Sequence, residues 1–93
     1  MTKTIRLSEA RRGDRGVIVR VGVQSHHDDM AVELERRLLE LGFVEGARVE
    51  LLHEGLFGRD PIAMKVDDMT VGLRRREAAS LLVELDGPQG GAA

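Results

Sequence analysis

The residues best suited to chemistry in this 93-residue chain are few and clustered. His26-His27-Asp28-Asp29 joins two imidazoles to two carboxylates, a donor set that suits divalent metals. Adjacent side chains point apart in a strand or a helix, however, so one chain rarely turns four consecutive residues onto one ion. The simpler reading is a solvated loop in which Asp28 or Asp29 caps a following helix by accepting free N–H groups of its first turn. His53 sits near the end of an alternating segment, on the Val49–Leu51 side by parity, which predicts a half-buried, hydrogen-bonded histidine. Arg74-Arg75-Arg76 offers three planar guanidinium forks. Either one of them pairs with a local carboxylate and the others are solvated, or the triplet anchors an acidic patch on another protein. Gly13-Asp14-Arg15-Gly16 is no phosphate loop, because it lacks the lysine-serine/threonine ending and enters a strand where such a loop opens a helix. No nucleophile–base pair can be assembled from local spacing, so the chain reads as a non-enzyme.

Composition narrows the partners. Fourteen basic residues face sixteen acidic ones, a formal charge of −2, which lacks the basic excess that phosphate neutralisation demands. Two Phe and no Trp or Tyr leave almost nothing for stacking on bases or polyproline. Nucleic acid is therefore not the expected partner, although the Gly-Asp-Arg-Gly turn before a valine strand keeps a small RNA-binding barrel as a competing reading. Cysteine is absent, which removes disulfides, thiolate metal sites and cysteine nucleophiles together. No apolar run approaches the roughly 20 residues of a membrane span, and no cofactor motif is present. The expectation is a soluble, cytoplasmic domain.

These candidates need elements to hold them. Thr4–Leu7 alternates as a short strand, and Ser8 opens a brief helical segment ending near Gly13. Val17–Val23 is the clearest strand, with Val17, Val19, Val21 and Val23 on one face and Ile18, Arg20 and Gly22 on the other. Met30, Leu34, Leu38 and Leu41 form one helical stripe, with Glu33 placed to pair with Arg37 and Gly42 ending the helix in a left-handed conformation. Val49 and Leu51 mark another strand. Residues 55–61 read as a loop fixed by Pro61. Ile62, Met64 and Val66 alternate up to an Asp67-Asp68 hairpin turn, and Val71 and Leu73 lie on the returning strand. Residues 74–80 form a single helical turn, Leu81–Leu85 a closing strand, and 86–93 a flexible tail. The sum predicts a mainly β fold over residues 1–85: a small barrel of five or six short strands, one α-helix and a short C-terminal helical turn.

Three segments then carry a family pattern. Leu38-Leu39-Glu40-Leu41-Gly42-Phe43-Val44-Glu45-Gly46, Phe57-Gly58-Arg59-Asp60-Pro61-Ile62 and Leu73-Arg74-Arg75-Arg76-Glu77-Ala78-Ala79, in this order, resemble the FeoA family of small bacterial ferrous-iron transport components. The sequence departs from the family at Gly55-Leu56, where an Ala-Pro-like pair is common. The resemblance implies an SH3-like barrel in the cytosol. It would be accessory to a membrane ferrous-iron permease bearing a cytosolic GTPase domain, binding that domain and modulating the permease's assembly or activity. The alternative is a metal-responsive regulatory or dimerisation module like the SH3-like domain of iron-dependent repressors, with His26, His27, Asp28 and Asp29 as weak metal candidates and weak self-association. The candidate partner-binding residues are Gly42, Phe43, Gly46, Phe57, Gly58, Asp60, Pro61, Arg74, Arg75 and Arg76. Gly42, Gly46, Gly58 and Pro61 read most simply as backbone-geometry residues, and the two Phe as core in preference to an exposed anchor pair.

Overall fold

A computed structural model describes residues 3–22 and 29–86. Six strands form one antiparallel sheet: β1 (Lys3–Arg6), β2 (Arg15–Val21), β3 (Arg48–Phe57), β4 (Asp60–Val66), β5 (Met69–Leu73) and β6 (Leu81–Leu85). Helix α1 spans Asp29–Glu40, α2 is the single turn Arg75–Ala78, and a 3₁₀ turn covers Leu7–Glu9. The spatial order is β1-β6-β2-β3-β4-β5, so the last strand slots between the first two. The inner faces share one core that includes Leu7, Ile18, Leu51, Ile62, Met64, Leu73, Leu81 and Val83. The 3₁₀ turn, which follows β1, and α2, which follows β5, pack against each other.

The expected strands are present among the described residues, outside which Val23 and residues 87–93 of the expected tail lie, but β-bulges redirect two of them. In β2 the valine stripe is not the core face. Ile18 opposes Val83 and Arg20 opposes Leu82, so Val19 is an extra residue on the β2 side. Ile18 is fully buried before this bulge, Val19 is 41% exposed within it, and Val21 turns back toward the core after it. An inserted residue reverses the face on which all later side chains fall. In β3 a bulge after Leu51 does the same: Leu51 is buried while His53 is exposed, not half-buried as parity predicts. The segment expected as a loop is instead the end of a hairpin, with β3 continuing to Phe57 and β4 starting at Asp60.

Close backbone approaches explain two glycines. A Cβ on Gly16 would lie 2.2 Å from the Glu84 carbonyl oxygen, and one on Gly55 would lie 2.1 Å from that of Asp60. Gly55 sits in the second irregularity of β3, where the hairpin narrows. Helix α1 ends as expected: Gly42 has φ 103°, its N–H donates to Leu39, and the Phe43 N–H donates to the Leu38 carbonyl. This closing motif satisfies the orphan carbonyls of the last turn and brings Leu38 and Phe43, both fully buried, into the core. Leu34 and Leu41 complete the stripe at the core's margin. The charge pairing differs from expectation. Glu33 accepts from Arg36 at 2.6 Å, which frees Arg37 to reach Glu77 and tie α1 to α2. The Asp67-Asp68 turn forms as expected, with Asp67 at φ 53° and its N–H donating to the Arg48 carbonyl.

Gly16 and Gly72 give a paired test, since a Cβ on Gly72 meets nothing within 4 Å. Urea denaturation should show Gly16→Ala destabilised by about 2–3 kcal/mol through backbone overlap. Gly72→Ala should stay within about 0.5 kcal/mol of the parent, as exposed sites generally do.

Candidate partner-docking surface

The β3–β4 hairpin turns through Gly58 and Arg59, at φ 66° and 59°. Phe57 pairs with Asp60, so these two residues form a two-residue connection with the double left-handed geometry that matches strand twist. Glycine adopts this conformation freely, whereas a side chain there costs on the order of 1–2 kcal/mol. Arg59 is held by what it touches: its carbonyl accepts from Arg75 Nε at 2.8 Å, and its own Nε lies 3.8 Å from Glu54 Oε1.

Arg75 organises the region. Its Nη1 donates to the carbonyls of Ser8 at 2.9 Å and Ala10 at 3.0 Å, its Nη2 to Glu54 Oε1 at 2.6 Å, and its backbone N–H to Asp60 Oδ1 at 2.9 Å. The other Glu54 oxygen accepts the Arg12 N–H at 3.3 Å. One guanidinium therefore joins the 3₁₀ turn, the hairpin and α2, and the Arg75 and Glu54 side chains are each less than one-fifth exposed. Only a planar five-donor fork can serve these acceptors at once. Glu77 fixes the start of α2 by accepting the Arg74 N–H at 2.9 Å.

The candidate residues thus divide. Arg75 and Asp60 are structural: their polar groups face each other and the hairpin. Phe43 is fully buried and offers no surface. Gly42 and Gly46 shape the connection from α1 to β3, Gly46 at φ 92°, on elements other than the hairpin. Phe57, Gly58, Pro61, Arg74 and Arg76 are exposed around the hairpin and α2. Sequence reasoning passed over Leu56, which at 94% is more exposed even than Phe57 at 87%. The available signal was two large apolar residues immediately before a Gly-X turn. It also passed over Arg59, Arg11 and Arg12, which are exposed on segments that the Arg75–Glu54 network draws together. The result is an apolar prong in an arginine-rich surround, on a chain of net negative charge.

Elsewhere, a groove of about 590 Å³ is lined by Arg15, Arg48, Glu50, Lys65, Asp67, Asp68 and Asp86. Both signs of charge line it, and Asp86 accepts from Arg48 at 2.6 Å. His26, His27 and Asp28 lie outside the described residues, and Asp29 is described only as the first residue of α1. Among the described residues, no three His, Cys, Asp or Glu side chains group as metal ligands, and no helix is long and apolar enough to cross a membrane.

A bulged six-stranded sheet with a single helical turn before its last strand defines an SH3-like domain, and solved structures share it. The chain is similar to Stenotrophomonas maltophilia FeoA, described as a prokaryotic SH3 domain protein complexed with zinc. The two are 32% identical with a TM-score of 0.68, over 89% of this chain and 88% of that one. A manganese-dependent transcriptional repressor matches with a TM-score of 0.73 at 22% identity, over 92% of this chain and 44% of the repressor, a likeness of fold alone. The FeoA domain family model matches residues 5–85, and the chain belongs to the FeoA family. It is also 38% identical over 81 residues to an Fe(2+) transport protein A/Fe(2+) transporter FeoB fusion protein of Porphyromonas gingivalis, matching 87% of this chain but spanning only 9% of that relative.

Arg75→Lys keeps the charge and loses the fork. It should lower unfolding stability by about 2 kcal/mol, the scale of charge-assisted hydrogen bonds left unmade in a partly buried site. Arg76→Lys, on the exposed neighbour, should be close to neutral. Chemical denaturation of both variants checks the contrast.

Proposed function

We propose that this chain is a cytosolic, non-catalytic accessory of ferrous-iron uptake that docks on the cytosolic GTPase-bearing part of an iron permease and modulates its assembly or activity. The observation that carries this reading is the P. gingivalis relative, in which a homologous unit is covalently joined to the transporter FeoB. Units that act on each other gain effective concentration when linked, and separate chains must replace that advantage with a contact surface. The hairpin prong supplies one. Leu56 and Phe57 have apolar area to bury, worth roughly 1.5–3 kcal/mol each when fully desolvated. Arg59, Arg74 and Arg76 beside them favour an acidic rim on the partner, which contributes orientation and association rate more than affinity. The backbone of the prong is fixed before binding by Gly55, by the Gly58-Arg59 turn and by Arg75, so little ordering entropy remains to be lost. Gly42 and Gly46 take part as shapers of the α1–β3 connection. The metal-responsive reading draws support from the Stenotrophomonas maltophilia FeoA, which is complexed with zinc.

Calorimetry of the purified chain against the permease's cytosolic domain, with and without GTP, tests the proposal. Binding should occur, and a combined Leu56→Ser and Phe57→Ser variant should weaken it at least tenfold, the scale of about 1.4 kcal/mol. Arg59→Glu with Arg76→Glu should weaken it less and flatten its salt dependence. Absence of binding to both the isolated domain and the full transporter would overturn the reading.

A further inference from the structure

We infer that the β5 edge is a self-pairing surface, through which two copies of this chain join their sheets into one continuous antiparallel sheet. This inference is independent of permease docking and shares only Arg74 with it.

The sheet ends at β1 on one side and β5 on the other. Natural proteins guard edge strands with charged residues, proline or bulges, because their unpaired backbone groups recruit other strands. The four residues of β1 follow that rule, with Lys3 and Arg6 at its ends. The sequence of β5, Met69-Thr70-Val71-Gly72-Leu73, contains no charge and no proline, and its pairing with β4 runs without a bulge. Met69 is 60% exposed, an apolar side chain with no cover.

The chemistry of this edge fits a second copy. Full antiparallel overlap of a five-residue strand with itself permits one register, centred on Val71. Met69 then opposes Leu73 of the second copy, and Thr70 opposes its Gly72. The same register, with nothing further adjusted, sets Asp68 opposite Arg74 at both ends. Asp68, Thr70, Gly72 and Arg74 are all exposed; Thr70 and Gly72 share one face of β5, and Asp68 and Arg74 stand one residue beyond its two ends. Two symmetry-related Asp–Arg pairs would thus flank the ladder, as a two-fold interface requires. Oppositely charged cross-strand pairs stabilise such a ladder, and like charges there oppose it. Gly72 leaves room for the close approach, since nothing lies within 4 Å of its Cβ direction. So short a ladder buries little area, which places the dimer among weak, reversible associations.

Sedimentation equilibrium on the full chain, up to about 1 mM where weak pairs still register, tests this. Asp68→Arg and Arg74→Asp should each raise the dimer dissociation constant roughly tenfold, replacing two attractive contacts by two repulsive ones. The double variant, with the charges exchanged, should return close to the parent value, which a merely structural defect would not do. The absence of native cysteine allows a register test. Mixed under mild oxidation, Thr70→Cys and Gly72→Cys chains should form the mixed disulfide in preference to either homodimer. A chain that stays monomeric at about 1 mM, a dimer indifferent to the charge variants, or homodisulfides dominating the mixture would each overturn the inference.

Discussion

The guanidinium of Arg75 is the constraint on which the hairpin side of this molecule depends. It closes three backbone carbonyls and one carboxylate from segments far apart in sequence, and no apolar contact could impose the same directions. An ion pair in this setting contributes more to specificity than to net stability, because desolvation offsets much of the Coulomb attraction. That matters for a hairpin. A two-stranded ribbon beyond the sheet has few core contacts and is marginal by itself. Hydrogen bonds at Arg59, Asp60 and Glu54 tie it to the rest of the fold, and its two bulky apolar residues, Leu56 and Phe57, stand exposed.

Consecutive arginines thereby acquire different roles from one-residue differences in position. Arg75 points into the junction of hairpin, 3₁₀ turn and α2, whereas Arg74 and Arg76 emerge on either side of it. Either of the two meanings of the triplet read from sequence, taken alone, misses this. The middle residue is structural, and the outer two are surface. The Phe pair divides the same way: Phe43 completes the closing motif of α1 inside the core, and Phe57 stands at the tip of the hairpin.

Most elements were legible because their signals are local. The α1 stripe, its Gly42 stop, the Asp67-Asp68 turn and the alternation of Ile62, Met64 and Val66 each follow from spacing and backbone preference within a few residues. The bulges were not legible. They depend on which residue of a neighbouring strand sits opposite, and no period-two count contains that information, so Val19 and His53 fell on the opposite face from the one expected. The hairpin hid for a related reason. Gly55, Gly58 and Pro61 carry loop propensities, yet here they permit a narrow, bulged ribbon. The segments that carry the candidate residues were legible and their arrangement was not, because Glu54, Ser8 and Ala10 meet Arg75 only in the folded chain.

The placement of β6 between β1 and β2 has a consequence for biosynthesis. The strand that comes last among the six lies inside the sheet, and until Leu81–Leu85 clears the ribosome neither β1 nor the outer side of β2 has its hydrogen-bonding partner in the sheet. The sheet therefore cannot be completed from its N-terminal end as the chain emerges. Its formation waits on long-range closure, the step that makes such topologies slow to fold. In the interval β1 and β2 are open strand edges, and the lysine and arginines spaced along them suit segments that must stay apart from other nascent chains until β6 arrives.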